Sequence, residues 1–182
     1  YTIALDTDIT SAVSIPQDKS IVLDLKDHKL TNTEGKNTIT VEKNATLTIT
    51  GTGTVDNISH GKAAIYNMGT ATLKNGVFER SQEAGKDAKD NGGNSYYTLL
   101  NHGVMAVQAD VTVNNKGGHS SLFDNGYFSW TSKDGIDNPT LTIEGGKFNG
   151  GLNTIKNDDD AILNIAGGEF INYTQAAFQN HG

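Results

Sequence analysis

Three consecutive aspartates, Asp158, Asp159 and Asp160, follow Asn157 and form the densest set of oxygen ligands in this 182-residue chain. Carboxylates of this kind can hold Ca2+ beside an acidic polysaccharide, or serve as the acid and base of glycoside hydrolysis, and Asp158 and Asp159 can be read as such a pair. Successive side chains of an extended strand point to opposite sides. Three in a row therefore cannot aim at one ion, and the run reads as a polar corner. The base that a polysaccharide lyase needs is not evident, because Arg80 is the sole arginine and no carboxylate cluster lies beside it in sequence.

A second chemistry-bearing set is aromatic. Trp130, the only tryptophan, lies in GHSSLFDNGYFSWTSKDGIDN (118–138) with His119, Phe123, Tyr127, Phe128 and Asp134. Tyr96 and Tyr97 follow another polar stretch, SQEAGKDAKDNGGNS (81–95). A flat ring for the apolar face of a sugar, set among Ser, Asn and Asp for its hydroxyls, is what a carbohydrate surface needs. The competing reading makes Phe123 and Phe128 core residues, with Trp130 covering an edge. The ligand-binding candidates are Tyr96, Tyr97, Tyr127, Trp130 and Asp134, provided that the two segments emerge on one side. No catalytic residue, metal ligand or cofactor is assigned, since the chain has no nucleophile elbow, phosphate-cradling loop or metal-binding histidine pair.

The composition says what kind of element must carry these groups. Only 35% of residues are hydrophobic, Gly numbers 21 and Pro 2, a mix that suits many short strands joined by polar turns. The net charge of −7 and scattered lysines argue against nucleic acid, which requires clustered cations. An acidic surface also disfavours anionic membranes, and no apolar run of about 18 residues spans a bilayer. With no cysteine, disulfides and thiolate-ligated zinc are excluded. The chain opens at Tyr1 without a methionine or signal peptide and stops in mid-phrase at Gly182. It is therefore expected to be a single domain, 1–182, cut from a longer protein, with flanking domains on the same polypeptide.

Internal repetition supplies the architecture. PTLTIEGGKFNG (139–150) recurs as AILNIAGGEFIN (161–172), placing Leu141 on Leu163, Ile143 on Ile165, Gly146 on Gly168 and Phe148 on Phe170. Near the N-terminus the offset reads as 24, with Ile15 on Ile39, Leu23 on Leu47, Leu25 on Ile49 and Val41 on Ile65. A second phrase appears as AIYNMG, LLNHG and AFQNHG, with IKNDDD a degenerate copy, so Asn67, Asn101, Asn157 and Asn180 share one position. Alternation sends one residue in two inward. A period of 22 to 24 residues accommodates three short strands and three corners. The expected fold is all-β, a right-handed parallel β-helix whose coils stack about 4.8 Å apart. Its aliphatic columns form the core and its asparagine column bonds amide to amide. Offsets lengthen twice, from Asn67 to Asn101 and from Val113 to Ile143, marking insertions near 81–97 and 118–138.

SIVLDLKDHKLTN, ATLTITGTGTVDN, NGGNSYYTLLNHG and LTIEGGKFNGGLNTIKND resemble the pectate-lyase-like β-helix modules of large surface proteins from Gram-positive gut commensals. The resemblance covers nearly the whole chain. It implies an extracellular, cell-surface or wall-attached setting and an adhesin-like or glycan-contacting role, and it supplies no catalytic residues. The Gly-His-Gly turn and Arg-x-Lys strand of the pectinase relatives are missing, and His102 and His181 lie in Asn-His-Gly phrases that belong to the coil pattern. Three readings follow: a non-catalytic module binding a glycan or host surface protein on one face, a polysaccharide lyase or hydrolase with carboxylates converging around Asp158 and Asp159, and a structural spacer.

Overall fold

Thr, Val and Ile alternate in runs of three to five residues between Gly, Asn and Asp corners, and each such run forms a strand. The computed structural model describes residues 1–59, 61–82, 96–115, 119–128 and 132–181, and among them there is no helix. The chain visits three parallel ladders in a fixed order. Its first circuits are β1 (Thr2–Ala4), β2 (Ile9–Thr10) and β3 (Val13–Ile15), then β4 (Ser20–Asp24), β5 (Lys29–Asn32) and β6 (Ile39–Val41). Next come β7 (Thr46–Thr50), β8 (Thr54–Asn57) and β9 (Ile65–Asn67), followed by the long β10 (Thr70–Arg80) with β11 (Leu99–Asn101). The equally long β12 (Val104–Asn115) is followed by β13 (Phe123–Asn125). The last circuits are β14 (Thr140–Ile143), β15 (Lys147–Gly150) and β16 (Asn153–Asn157), then β17 (Ile162–Ile165), β18 (Glu169–Ile171) and β19 (Ala176–Asn180).

The first ladder runs β1-β4-β7-β10-β12-β14-β17. The second runs through β2, β5 and β8 to the far halves of β10 and β12, then to β15 and β18. The third is a seven-stranded sheet, β3-β6-β9-β11-β13-β16-β19. Pairing is parallel throughout these ladders. Parallel strands stacked in this way are consistent with a β-helix-like solenoid.

Columns of equivalent residues fill the interior. Leu23, Ile49, Leu73, Val107 and Ile143 stack in register and are buried. In the second ladder Val55, Phe78, Val113 and Phe148 do the same, and the Phe148 and Phe170 rings stack with centroids 4.9 Å apart. Leu141 is the direct partner of Leu163, and Ile143 of Ile165. Along the third sheet each inward asparagine donates its amide to the next, from Asn67 to Asn101, Asn125 and Asn157 at 2.7 Å each and on to Asn180 at 2.8 Å. Each ends its strand, and at Asn67 and Asn101 the side-chain oxygen also accepts the N–H two residues on, of Gly69 and Gly103, at 3.2 Å. Asparagine suits this position because one side chain closes the corner and bonds the neighbouring strand.

Two details of register differ from the sequence expectation. At the N-terminal end the offset is 26, not 24: Val13 pairs with Ile39, Ile15 with Val41, Leu23 with Ile49 and Ile39 with Ile65. A slip of two residues keeps every side chain on its face, so alternation alone cannot tell the two registers apart. The second insertion does not run unbroken over 118–138, because β13 lies inside it and contributes Asn125 to the asparagine column. Val113 accordingly stacks on Phe148 and Ile143 on Val107.

Candidate functional site

The residue before each ladder asparagine points away from the core. Thr40, Tyr66, Leu100, Asp124, Lys156 and Gln179 thus form one outward column on the third sheet. Described residues at one end of each excursion border this column. The first returns through Tyr96 and Tyr97 directly before β11, and the second leaves directly after β13 with Tyr127 and Phe128. Together they wall a cleft of about 570 Å3 whose lining includes Tyr66, Tyr96, Tyr97, His102, Asp124, Phe128 and Lys156. The described ends of the two insertions, Tyr96 with Tyr97 and Phe128, thus line one cleft.

One wall is a hydrogen-bonded triad. The Tyr66 hydroxyl donates to the Asp134 carboxylate, and His102 Nδ1 lies 2.6 Å from the other oxygen of that group. A carboxylate only accepts, which assigns the proton to Nδ1. Burial, and then Asp134, push the Tyr66 hydroxyl well above the ordinary tyrosine range, so it remains a donor. His102 packs edge-on against Tyr66 and at 4.5 Å against Tyr127. Tyr127 is only 2% exposed and presents no ring face to solvent. Its hydroxyl donates to Ile136 O at 2.8 Å and accepts from Gly135 N at 3.0 Å, which pins the segment that carries Asp134.

That segment lies close against β11. A methyl group on Gly135 would sit 1.8 Å from His102 O. Gly135→Ala is expected to lower stability by about 1–3 kcal/mol, as overpacking does. It should also unseat Asp134, seen as a lower melting temperature and a changed environment of the His102 ring in NMR spectra.

The floor is a buried ionic cluster. Asp124 and Asp158 are 3% and 0% exposed, and Lys156 is 9%. Lys156 Nζ is ion-paired to Asp158 Oδ2 and lies 3.8 Å from Asp124 Oδ1. The Phe128 ring covers the ammonium at 4.3 Å from its centroid, and the Tyr97 ring lies at 6.0 Å. Burial pushes the Asp124 carboxyl up to about 8; Lys156 opposes this, and the Asp158 charge and its hydrogen bond add to it. Asp124 is thus held protonated at neutral pH, with its hydrogen bond to Asp158 favouring that form. Burial, then the charges of Asp124 and Asp158, hold Tyr97 protonated, and it hydrogen-bonds Asp124.

Of the sequence candidates, Tyr96 and Tyr97 line the cleft, Asp134 braces its wall and Tyr127 lies beneath it. Trp130 lies outside the described residues. Asp158 does converge with a second carboxylate, but that partner is Asp124; Asp159 is exposed. Two hydrogen-bonded carboxyls are closer than the roughly 5–9.5 Å that glycoside hydrolysis uses. Among the described residues no group of three or more His, Asp or Glu is placed to hold a metal ion. Sequence reasoning passed over Tyr66, Asp124 and Lys156, and read His102 only as part of the repeat, although each is adjacent to a ladder asparagine. In comparisons with known proteins the chain matches no family model, no curated protein and no solved structure.

Proposed function

We propose that the chain is a non-catalytic recognition module that holds a glycan or a host surface ligand in the cleft on its third sheet. In this reading it is a right-handed parallel β-helix of the pectate-lyase-like, adhesin-type kind, working outside the cell or attached to its wall between flanking domains. Parallel crossovers take the right hand in about 98% of cases, and the phrases quoted above carry the family resemblance. The observation that supports recognition is the arrival of rings from both excursions at one cleft: Tyr96 and Tyr97 from the first, Phe128 from the second, with Tyr66 between them. Rings supply apolar faces for a sugar, while His102, which Asp134 holds in place, and Lys62 supply polar groups at the walls. Trp130, two residues beyond Phe128, keeps its place in the proposal on sequence grounds.

The test is a screen against glycan arrays, including pectins and host glycans, and host surface proteins. For any ligand found, Tyr96→Ala and Trp130→Ala are expected to weaken binding about tenfold each, the loss of roughly 1.4 kcal/mol that a stacked ring supplies. Unchanged affinity in both variants would move the site elsewhere, and no ligand at all would favour a spacer. New reducing ends or unsaturated products on incubation with polysaccharide and Ca2+ would instead make the carboxyl pair catalytic.

A further inference from the structure

The floor of the cleft contains a pairing that ligand recognition does not require. Asp124 and Lys156 are direct cross-strand partners on β13 and β16. The lysine amine lies within 3.8 Å of the Asp124 carboxyl, with a second carboxyl, Asp158, in contact with the same nitrogen. Phe128 covers the nitrogen and Tyr97 flanks it, so the group is buried at the base of the cleft and largely shielded from water. Buried salt bridges rarely gain stability over apolar packing, because desolvating two charges costs as much as their attraction returns. Here a nucleophile, an electrophile and a proton carrier are instead brought together in a desolvated place. We propose that Lys156 and Asp124 condense into a side-chain amide, an isopeptide staple joining β13 to β16, with Asp158 carrying the proton.

The step balances without any further reactant. Lys156 Nζ gives one proton to the Asp158 carboxylate and becomes a neutral amine. Its lone pair attacks Asp124 Cγ, and the C–N bond forms. A second proton passes from the nitrogen, by way of Asp158, to the Asp124 hydroxyl, the C–O bond breaks and one water leaves. The products are an amide, a water and a protonated Asp158 that hydrogen-bonds the new link. Only a protonated carboxyl is an electrophile here, and burial holds Asp124 in that form. Lys156 Nζ stands 3.8 Å from the Asp124 carboxyl, a small movement from the approach of about 3–3.5 Å at which well-oriented cases reach effective concentrations of about 10^5–10^8 M, and shielding from water opposes hydrolysis. Asp124 is the acceptor rather than Asp158 because it faces Lys156 across the ladder, whereas Asp158 lies two residues along the same chain and holds the proton-carrying position.

Intact mass spectrometry of the denatured full chain reads the result directly and does not depend on what the cleft binds. The wild-type protein is expected to weigh one water less than its sequence, and protease fragments should include a branched peptide joining Asp124 to Lys156. Lys156→Arg, which keeps the cation but cannot form this amide, should have the full sequence mass. Asp158→Asn should leave a larger uncrosslinked fraction. A wild-type chain of full mass overturns the proposal. So does a lost water without the branched peptide, which would be aspartyl cyclisation, or a branch at Asp158. If the variants fail to fold, the wild-type mass and its branched peptide still decide.

Discussion

Asn125→Ala is expected to lower the unfolding free energy by about 3 kcal/mol, the cost of orphaning two or three buried polar groups at about 1–3 kcal/mol each. Asn125 stands in the middle of the asparagine column and is fully buried. Its amide donates to Asn157 Oδ1 at 2.7 Å and to Ile162 O at 3.1 Å, and its oxygen accepts from Asn101 at 2.7 Å. Alanine removes all three bonds in a place that water cannot easily reach. The same substitution at Asn180, exposed on the last strand of the column, removes one partner from Asn157 beside solvent and should cost well under half as much. Urea midpoints of the two variants measure the gradient. Equal losses at Asn125 and Asn180 would mean that the column merely fills space, since the interior bonds would then contribute nothing beyond the exposed one.

The column also shows what could be read from sequence and what could not. The LTIEGGKF and LNIAGGEF phrases stack as their spacing implies, because identical corners and identical alternation leave no freedom to slip. At the N-terminal end Val13, Ile15, Leu23 and Leu25 are all apolar at every second position, and that pattern fits an offset of 24 as well as the observed 26. Phe123-Asp124-Asn125 does not read as a strand from sequence, because it is short and set in a polar, aromatic stretch where the same letters suit a loop. The site depends on Asn125 being placed in the column. Asp124 and Lys156 are 32 residues apart in sequence and become neighbours only when Asn125 and Asn157 are placed on adjacent strands. The aromatic excursions were legible from composition, but the burial of Tyr127 was not. Its hydroxyl is satisfied by Gly135 and Ile136, a local contact that no periodicity encodes.

Removing the cation from the floor should have the largest effect of all. Lys156→Met keeps the length and apolar stem of the side chain, cannot form an amide, and leaves Asp124 and Asp158 facing one another in a buried place. Breaking a buried ion pair from one side costs about 3–5 kcal/mol, and here the cost depends on pH in a fixed direction. Asp124 in the folded, uncondensed chain titrates well above the ordinary carboxyl value of about 3.9, and Lys156 is the largest influence that holds it down, ahead of the Tyr97 hydrogen bond. Without the lysine its folded value rises further. A group raised in the folded state binds more protons there than in the unfolded chain, so its contribution is complete below about pH 4 and is lost as pH climbs through the folded value. Lys156→Met should therefore be most stable in mild acid and lose up to about 1.4 kcal/mol per pH unit for the Asp124 proton until the pH passes its raised folded value, which lies above the value of about 8 held with the lysine present. Urea unfolding at pH 5, 7 and 9 reads the slope. Adding Asp124→Asn, which carries the amide in place of the acid, should flatten it and recover stability at pH 9. A pH-independent Lys156→Met protein would mean that water or a shifted backbone reaches the two carboxyls, and the enclosed floor that both the titration and the proposed staple require would then be absent.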